Sequence, residues 1–114
     1  MTDISIVVPV YNEVESVPGL GEKLHAAASL LGRSYEILLI DDGSRDGTWE
    51  ALRAVAGKYP HVRLIRFRRN FGQTAAMSAG FRESKGKIIV TLDADLQNDP
   101  ADISKLIERM DRGF

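Results

Sequence analysis

The segment KIIVTLDADLQNDP, residues 87–100, joins a short apolar run to a cluster of polar residues. The run from Ile88 to Leu92 is rich in β-branched residues, which predicts a strand buried on both faces. It ends in Asp93-Ala94-Asp95, and Gln97 follows two residues later. Two carboxylates one residue apart repel each other unless a cation lies between them. Because carboxylate and amide oxygens are preferred ligands of Mg²⁺ or Mn²⁺, the segment predicts a metal site.

A second interpretation of the same acidic residues is a solvated turn that caps the next helix. Asp99 suits an N-cap, and Pro100 suits the first helical position. Acidic turns of this kind are common, so the two aspartates alone do not identify a metal site. The rest of the chain has to decide between the two interpretations.

The composition is that of a globular protein without a strong global charge. The chain has 114 residues, of which 44% are hydrophobic and 27% charged, and its formal net charge is −1. This charge excludes a general attraction to nucleic acid or anionic lipid. The sequence has no cysteine, so disulfides and zinc–thiolate sites are excluded. No signal-peptide pattern and no apolar run near the roughly 20 residues of a membrane span are found, so we expect a cytoplasmic protein.

Hydrophobic periodicity divides the chain into four strand–helix units. Strands are predicted over residues 4–10, 35–40, 62–67 and 88–92. Helices are predicted over residues 14–31, 49–59, 73–84 and 100–110. The third strand carries arginines and is therefore expected near a sheet edge. Such alternation predicts an α/β fold, Rossmann-like, with a mainly parallel sheet, helices on both faces and right-handed crossovers.

Polar clusters follow three of the four predicted strands. They are Tyr11-Asn12-Glu13, Asp41-Asp42 and Asp93-Ala94-Asp95. In parallel sheets ligands bind beyond the carboxyl ends of the strands, so all three clusters are expected to face one crevice. This convergence favours the metal-site interpretation.

The acidic groups of this crevice suit a nucleotide-sugar diphosphate together with a bound cation. The carboxylate of Asp41 can accept the imide N–H of a base, and Glu13 and Tyr11 suit the ribose hydroxyls and the base edge. The diphosphate requires the metal. Taken singly, the first two clusters can also be strand-end turns that cap a helix.

Four arginines lie within residues 63–69. Arg68 or Arg69, at the end of the third strand, is a candidate for phosphate contact. Arg63 and Arg66 are interpreted as a solvated strand face whose stems cover apolar surface. No G-x-G-x-x-G follows the first strand and no P-loop motif is present, so the dinucleotide and P-loop interpretations lose their main support.

Four motifs in order carry a resemblance to a known family. They are VVPVYNE (7–13), LLIDDGSRDGT (38–48), RRNFGQTAAMSAG (68–80) and LDADLQNDP (92–100). Together they resemble the amino-terminal half of a family 2 inverting glycosyltransferase with a GT-A fold. The similarity is greatest to polyprenyl-phosphate glycosyltransferases, which include the dolichol-phosphate mannosyltransferase group and bacterial undecaprenyl-phosphate sugar transferases. Residues 69–80 are more similar to the bacterial branch.

The resemblance implies roles for individual residues. The implied nucleotide-sugar-binding residues are Pro9, Tyr11, Asn12, Glu13, Ile40, Asp41, Asp42, Arg69, Asp93, Ala94 and Asp95. The implied ligands of Mg²⁺ or Mn²⁺ are Asp93, Asp95 and Gln97, with Asp93 and Asp95 as the catalytic residues. Members of the family continue well beyond this acidic motif. Residues 1–114 are therefore expected to be the nucleotide-diphospho-sugar-binding part of a longer glycosyltransferase domain.

The implied reaction transfers a sugar, with inversion, from a UDP- or GDP-linked donor to a polyprenyl phosphate. It would take place at the cytoplasmic face of a membrane, which other parts of the protein contact. A phosphate acceptor is already anionic and needs little or no general base. The alternative acceptor, a sugar hydroxyl in cell-envelope glycan synthesis, needs a catalytic Asp or Glu elsewhere. The sugar, the nucleotide and the oligomeric state stay open.

Three other classes of protein share parts of the pattern. A phosphoacceptor receiver domain has its acidic pair after the first strand, whereas here Asp41-Asp42 follow the second. A sugar nucleotidyltransferase has a glycine-rich basic loop where this chain has Tyr11-Asn12-Glu13. A catalytically inactive binding or assembly module is the third alternative.

Overall fold

Four strands and four helices alternate along the chain in a computed structural model, which describes residues 2–94 and 100–111. The strands are β1 (Ile4–Val10), β2 (Tyr35–Asp41), β3 (Val62–Arg66) and β4 (Ile88–Thr91). The helices are α1 (Val17–Ser29), α2 (Thr48–Lys58), α3 (Gln73–Glu83) and α4 (Pro100–Asp111). This order confirms the predicted alternation. Helix α1 begins later than its periodicity predicts because the Glu13 carbonyl accepts the Ser16 N–H in a turn before it.

All described strands pair in parallel, in the spatial order β3-β2-β1-β4. The chain moves outward from β1 to β3 and then crosses β1 to form β4 on its other side. With right-handed crossovers, this reversal puts α3 on the face opposite to α1 and α2. It also makes the carboxyl ends of β1 and β4 the point at which strand order reverses, where ligands bind in sheets of this type.

Both faces of the central strands are buried, as their continuous apolar runs predict. One face packs against α1, α2 and α4 through a core that includes Ile6, Val8 and Leu39. On the other face, Val7, Leu38 and Ile40 pack with Ala76 of α3. Helix α3 lies very close to the sheet, because a Cβ added at Gly80 would be 2.4 Å from Val7 Cγ1. The small residues Ala76, Ala79 and Gly80 on this face of α3 thus allow the close approach.

The prediction that the fourth strand is buried on both faces is wrong. Val90 is buried, but Ile89 is 38% exposed. Strand β4 is an outer strand of the described sheet, and Ile89 lies on the α3 side, in register with Ser5. Helix α3 packs over β1 and β2, so this side of β4 is left partly open. The arginine-bearing β3 is the other outer strand, as predicted.

A buried carboxylate that sequence reasoning missed, Glu36, links β1, β2, β3 and the segment before β4. It accepts hydrogen bonds from the Ser5 hydroxyl (2.6 Å), the Lys85 N–H (2.6 Å) and the Arg63 guanidinium (2.8 Å). Arg63 also donates to the Glu83 carbonyl at 2.9 Å. Arg63 therefore ties β3 to Glu36 and to the end of α3, while 37% of its side chain stays exposed. Its interpretation as part of a solvated strand face misses these two contacts. Burial alone raises the pKa of Glu36, but the donated hydrogen bonds and the guanidinium charge outweigh it and hold this pKa below its usual range.

Replacing Glu36 by glutamine is expected to lower the free energy of unfolding by about 1–3 kcal/mol near neutral pH, because buried donors lose a charged acceptor. The folded-state pKa of Glu36 is lowered, so above the ordinary glutamate pKa of about 4.3 the carboxylate makes its full contribution to the free energy of unfolding. It is lost as the pH falls through the folded-state value. Urea unfolding at a series of pH values should show the difference between wild type and variant shrinking in acid.

The matched control is Glu22→Gln, at an exposed position of α1. It should change the unfolding free energy little at any pH. A deficit in Glu36→Gln that stays constant into acid would contradict the proposed charge-dependent role.

Among the described residues, no helix is both long enough and apolar enough to cross a bilayer.

Candidate functional site

A cleft of about 310 Å³ opens at the carboxyl ends of β1 and β4. Its lining residues come from four separate parts of the chain: Pro9, Val10, Tyr11, Glu13, Asp42, Gln73, Asp93 and Ala94. The three predicted polar clusters each contribute at least one residue. Their convergence on one crevice, expected from the sequence, is what the fold produces at its point of strand-order reversal.

The turn after β1 is tied to the turn after β2 through Asn12. Its backbone φ is +50°, a left-handed conformation that asparagine tolerates better than most residues. The Asn12 N–H donates to Ser44 Oγ at 2.8 Å, and its Oδ1 accepts the Arg45 N–H at 2.9 Å. The side-chain oxygen of Asn12 is therefore engaged in joining two loops. Asn12 does not line the cleft, and its predicted contact with a nucleotide sugar stays a prediction.

A second tie fixes the backbone around Glu13. The Glu13 N–H donates to Thr48 Oγ1 at 2.9 Å, and the Val14 N–H donates to Asp46 Oδ2 at 3.4 Å. Asp46 also accepts the N–H and the hydroxyl of Thr48, and the hydroxyl hydrogen bond lowers the pKa of Asp46. The Glu13 backbone is thereby held while its half-buried side chain lines the cleft. Tyr11 stands 43% exposed at the same edge.

Asp41, the last residue of β2, is completely buried. Its Oδ1 accepts the Ser44 N–H at 2.9 Å. Its Oδ2 is buried and has no hydrogen-bond partner within residues 2–94 and 100–111. A buried carboxylate oxygen without a donor is costly, so it is suited to accept a hydrogen bond from a ligand.

Asp42 uses both carboxylate oxygens to hold the loop that precedes α3. Oδ1 accepts the Phe71 N–H at 2.8 Å, and Oδ2 accepts Asn70 Nδ2 at 2.9 Å and the Gly72 N–H at 3.1 Å. This loop leads directly to Gln73, which lines the cleft. Asp42 therefore positions the loop that brings Gln73 to the cleft. Its direct contact with a nucleotide sugar is still a prediction.

Asp93 and Ala94 line the cleft after β4, and Asp93 is exposed there. Asp95 and Gln97, the other predicted metal ligands, lie outside the described residues. Within the described ranges, no group of three His, Cys, Asp or Glu side chains could hold a metal ion. The carboxylate of Asp93 is exposed at the cleft, and its role as a metal ligand stays a prediction.

Besides Asn12 and Asp41, two further predicted binding residues are absent from the cleft lining. The side chain of Ile40 is fully buried in the core on the α3 face, so it does not reach the cleft. Arg69 is exposed, and its guanidinium lies 4.8 Å from the centroid of the Phe71 ring, outside the cleft lining.

Gln73 was not among the predicted site residues. The chain passes from β3 to β4 across β1, and this crossover brings the start of α3 to the cleft. Two signals together could have identified Gln73: it is a polar residue directly after the turn Asn70-Phe71-Gly72, and a crossover from β3 to β4 brings that turn to the cleft.

Comparison with protein families decides the class of the chain. Residues 5–114 match the model of the family described as glycosyl transferase family 2. The chain belongs to glycosyl transferase family 2. The sequence resemblance is thereby confirmed over nearly the whole chain.

Two curated relatives of this glycosyltransferase chain carry the same name. The chain is 48% identical over 112 residues to undecaprenyl-phosphate 4-deoxy-4-formamido-L-arabinose transferase of Pseudomonas paraeruginosa, covering 97% of the chain and 33% of that protein. It is 47% identical over 112 residues to the protein of the same name from Yersinia pestis, covering 97% of the chain and 34% of the relative. The chain thus spans about a third of the length of these curated relatives.

Solved structures support the GT-A fold. The chain superposes with a TM-score of 0.75 on the mannosyltransferase PcManGT of Pyrobaculum calidifontis in complex with GDP-Man and Mn²⁺, at 23% identity over 90% of the chain and 31% of that protein. It superposes with a TM-score of 0.77 on S. aureus TarS in complex with UDP, at 18% identity over 97% of the chain and 32% of that protein. At these identities the likeness concerns the fold, and it confirms the predicted class.

Proposed function

We propose that the chain is the amino-terminal, nucleotide-sugar-binding part of a glycosyltransferase that transfers a sugar to a polyprenyl phosphate with inversion. The enzyme works at the cytoplasmic face of a membrane. Two findings support this proposal: the relatives at 47–48% identity are named as undecaprenyl-phosphate sugar transferases, and the chain spans about a third of them. Their names favour a lipid phosphate over a sugar hydroxyl as the acceptor.

The observation that carries the proposal is the cleft at the ends of β1 and β4. Residues from the β1 end, the β2 end, the start of α3 and the β4 end meet there in about 310 Å³. A nucleotide needs hydrogen-bond acceptors for its base and ribose and a cation for its diphosphate. The carboxylates at the β1 and β2 side of the cleft provide hydrogen-bond acceptors for the base and ribose. Asp93, at the β4 side, provides a carboxylate for the cation.

The base and ribose are assigned to the β1 and β2 side of the cleft. The Tyr11 ring offers an exposed face for the base, and Glu13 offers a carboxylate for ribose hydroxyls. Asp41 offers its unpaired Oδ2 to an imide N–H, and satisfying this oxygen removes a buried unsatisfied acceptor. Movement of side chains at the mouth of the cleft is required for that contact, because Asp41 is completely buried.

Asp93, together with Asp95 and Gln97, would hold Mg²⁺ or Mn²⁺ at the diphosphate. When bound, the cation neutralises the charge that develops on the departing nucleoside diphosphate. A similar fold has been solved with GDP-Man and Mn²⁺, which supports a divalent ion with this class of donor. The protein residues in this arrangement orient the donor so that its anomeric carbon is open to attack from the opposite face, which inverts that centre.

The donor site is tested by thermal melting of the full-length protein with UDP or GDP. We expect one of the nucleotides to stabilise the protein only when Mg²⁺ or Mn²⁺ is present. At a nucleotide concentration 100 times the dissociation constant, the stabilisation is about 2.7 kcal/mol. Asp95→Asn should abolish this effect, since it removes a charged ligand of the cation.

Asp102→Asn is the matched control, because Asp102 is exposed in the first turn of α4 and outside the cleft. It should retain the metal-dependent stabilisation. Stabilisation that does not need a metal would contradict the role given to Asp95. No stabilisation by either nucleotide would contradict the donor site itself.

A further inference from the structure

A second surface feature lies at the same edge of the sheet, beyond the end of β3. Arg66, Phe67, Arg68, Arg69 and Phe71 form it, and we refer to these five residues as the arginine–phenylalanine patch. Arg66, Phe67 and Arg68 also line a shallow cleft of about 280 Å³ with residues of the β2 turn. Strands β1 and β3 run parallel, so the patch and the donor cleft face the same way.

The aromatic rings of the patch support its arginines. The Arg69 guanidinium lies 4.8 Å from the Phe71 ring centroid, and the rings of Phe67 and Phe71 meet edge to face at 5.7 Å. Arg66 lies over the Trp49 ring at 5.0 Å. Phe71 is nevertheless 55% exposed.

The positive charge of the patch is uncompensated. Arg66, Arg68 and Arg69 form no ion pair with any residue in the described part of the chain. Arg63, three residues before Arg66, instead pairs with Glu36 at 2.8 Å. Three exposed arginines within four residues thus have no ion-pair partner among the described residues, and Arg69 lies beside the exposed Phe71 ring.

The loop that carries Arg69 and Phe71 is held in place by the turn after β2. Asp42 accepts the N–H groups of Phe71 and Gly72, and the backbone of Arg69 and Asn70 lies against Gly43. The loop is therefore pre-ordered, which reduces the entropy lost when its side chains meet a partner.

We propose that the arginine–phenylalanine patch docks this domain on an anionic lipid surface. The choice of a membrane as the partner rests on the proposed lipid-phosphate acceptor, which places the reaction at a bilayer. Arginines attract anionic headgroups, and an exposed ring beside them enters the boundary between headgroups and acyl chains. The net charge of −1 gives no general attraction to lipid or nucleic acid, so the attraction is local to the patch.

The test uses the 114-residue chain, whose single tryptophan, Trp49, lies under Arg66 and reports on the patch. Vesicles of phosphatidylcholine with phosphatidylglycerol are compared with vesicles of phosphatidylcholine alone. We expect co-sedimentation and a change in Trp49 emission only with the anionic vesicles. The double variant Arg66→Gln/Arg68→Gln should bind about 30-fold more weakly, or about fivefold for each arginine. Phe71→Ser should also weaken binding.

The control is Arg53→Gln/Arg82→Gln, which removes the same charge from exposed positions on α2 and α3. It should bind vesicles like the wild type, and circular dichroism establishes that each variant is folded. Equal loss in the control, or equal binding to neutral vesicles, would overturn the inference. Self-association through Phe71, or binding of inorganic phosphate to Arg66 and Arg68 with no vesicle binding, would overturn it too.

Failure of the donor site and failure of the patch give different results. If nucleotides do not stabilise the protein but the chain still binds anionic vesicles through the patch, the proposed function fails and the docking surface stands. If the Arg66→Gln/Arg68→Gln variant still binds vesicles but loses nucleotide stabilisation, these arginines serve the donor and the docking surface is overturned.

Discussion

Asp95→Asn is expected to lower kcat/KM for sugar transfer by about 10²–10³ in the full-length enzyme, as does removal of a preorganised group that stabilises developing charge. The substitution preserves the size and shape of the side chain and removes one negative charge. Departure of the nucleoside diphosphate then loses part of its charge neutralisation, while Asp93, two residues earlier in the chain and exposed at the cleft, is unchanged. Transfer of labelled sugar to a polyprenyl phosphate measures the rate.

Asp102→Asn makes the same chemical change on the exposed first turn of α4. Its transfer rate should stay close to that of the wild type. A wild-type rate in Asp95→Asn would show that Asp95 is not part of the metal site. If excess Mn²⁺ restores part of the lost rate in Asp95→Asn, weakened metal binding is the cause.

Gly43→Ala is expected to destabilise the protein by about 2–5 kcal/mol, from left-handed backbone strain and overpacking together. Gly43 has a φ of +72°, and a Cβ there would lie 2.1 Å from the backbone carbon of Arg69 and 2.4 Å from the nitrogen of Asn70. Backbone cannot move aside as a flexible side chain does. The loop must leave its position, and the hydrogen bonds from Phe71 and Gly72 to Asp42 are then strained or lost.

Gly57→Ala is the control, because an added Cβ at Gly57 meets nothing within 4 Å and the residue lies within α2. It should stabilise the protein by about 0.5–1 kcal/mol, the difference in helix propensity between alanine and glycine. Urea unfolding measures both variants. If Gly43→Ala unfolds like the wild type, the close approach of the two loops is wrong.

Much of the fold could be predicted from local pattern. The apolar runs of β1 and β2 are long enough to be recognised as strands buried on both faces, and the alternation with helices dictates parallel pairing. The prediction failed at β4. Its apolar run is similar to those of β1 and β2, but the run does not reveal that Ile89 lies on the side of the sheet that α3 leaves partly open. Position in the sheet is a property of topology, and composition does not encode it.

The candidate site could be predicted in outline for the same reason. Polar residues placed after parallel strands meet at one edge, so Tyr11, Glu13 and Asp93 were expected together and do line one cleft. Asn12 and Asp42 look like ligand-binding residues in the sequence, yet their side chains bond to loops about 30 residues away. No local signal distinguishes a carboxylate that binds a ligand from one that holds a loop.

The sequence by itself determined the family, the strand–helix order and the edge of the sheet at which the polar clusters meet, because each depends on local periodicity and on motifs contiguous in the chain. Only the tertiary structure decided which polar groups are already satisfied. It showed the buried Glu36 paired with Arg63, Asp42 holding the loop before α3, and Arg66, Arg68 and Arg69 exposed without ion pairs among the described residues. Satisfaction of a polar group depends on neighbours distant in sequence, and folding alone brings these neighbours within hydrogen-bonding distance.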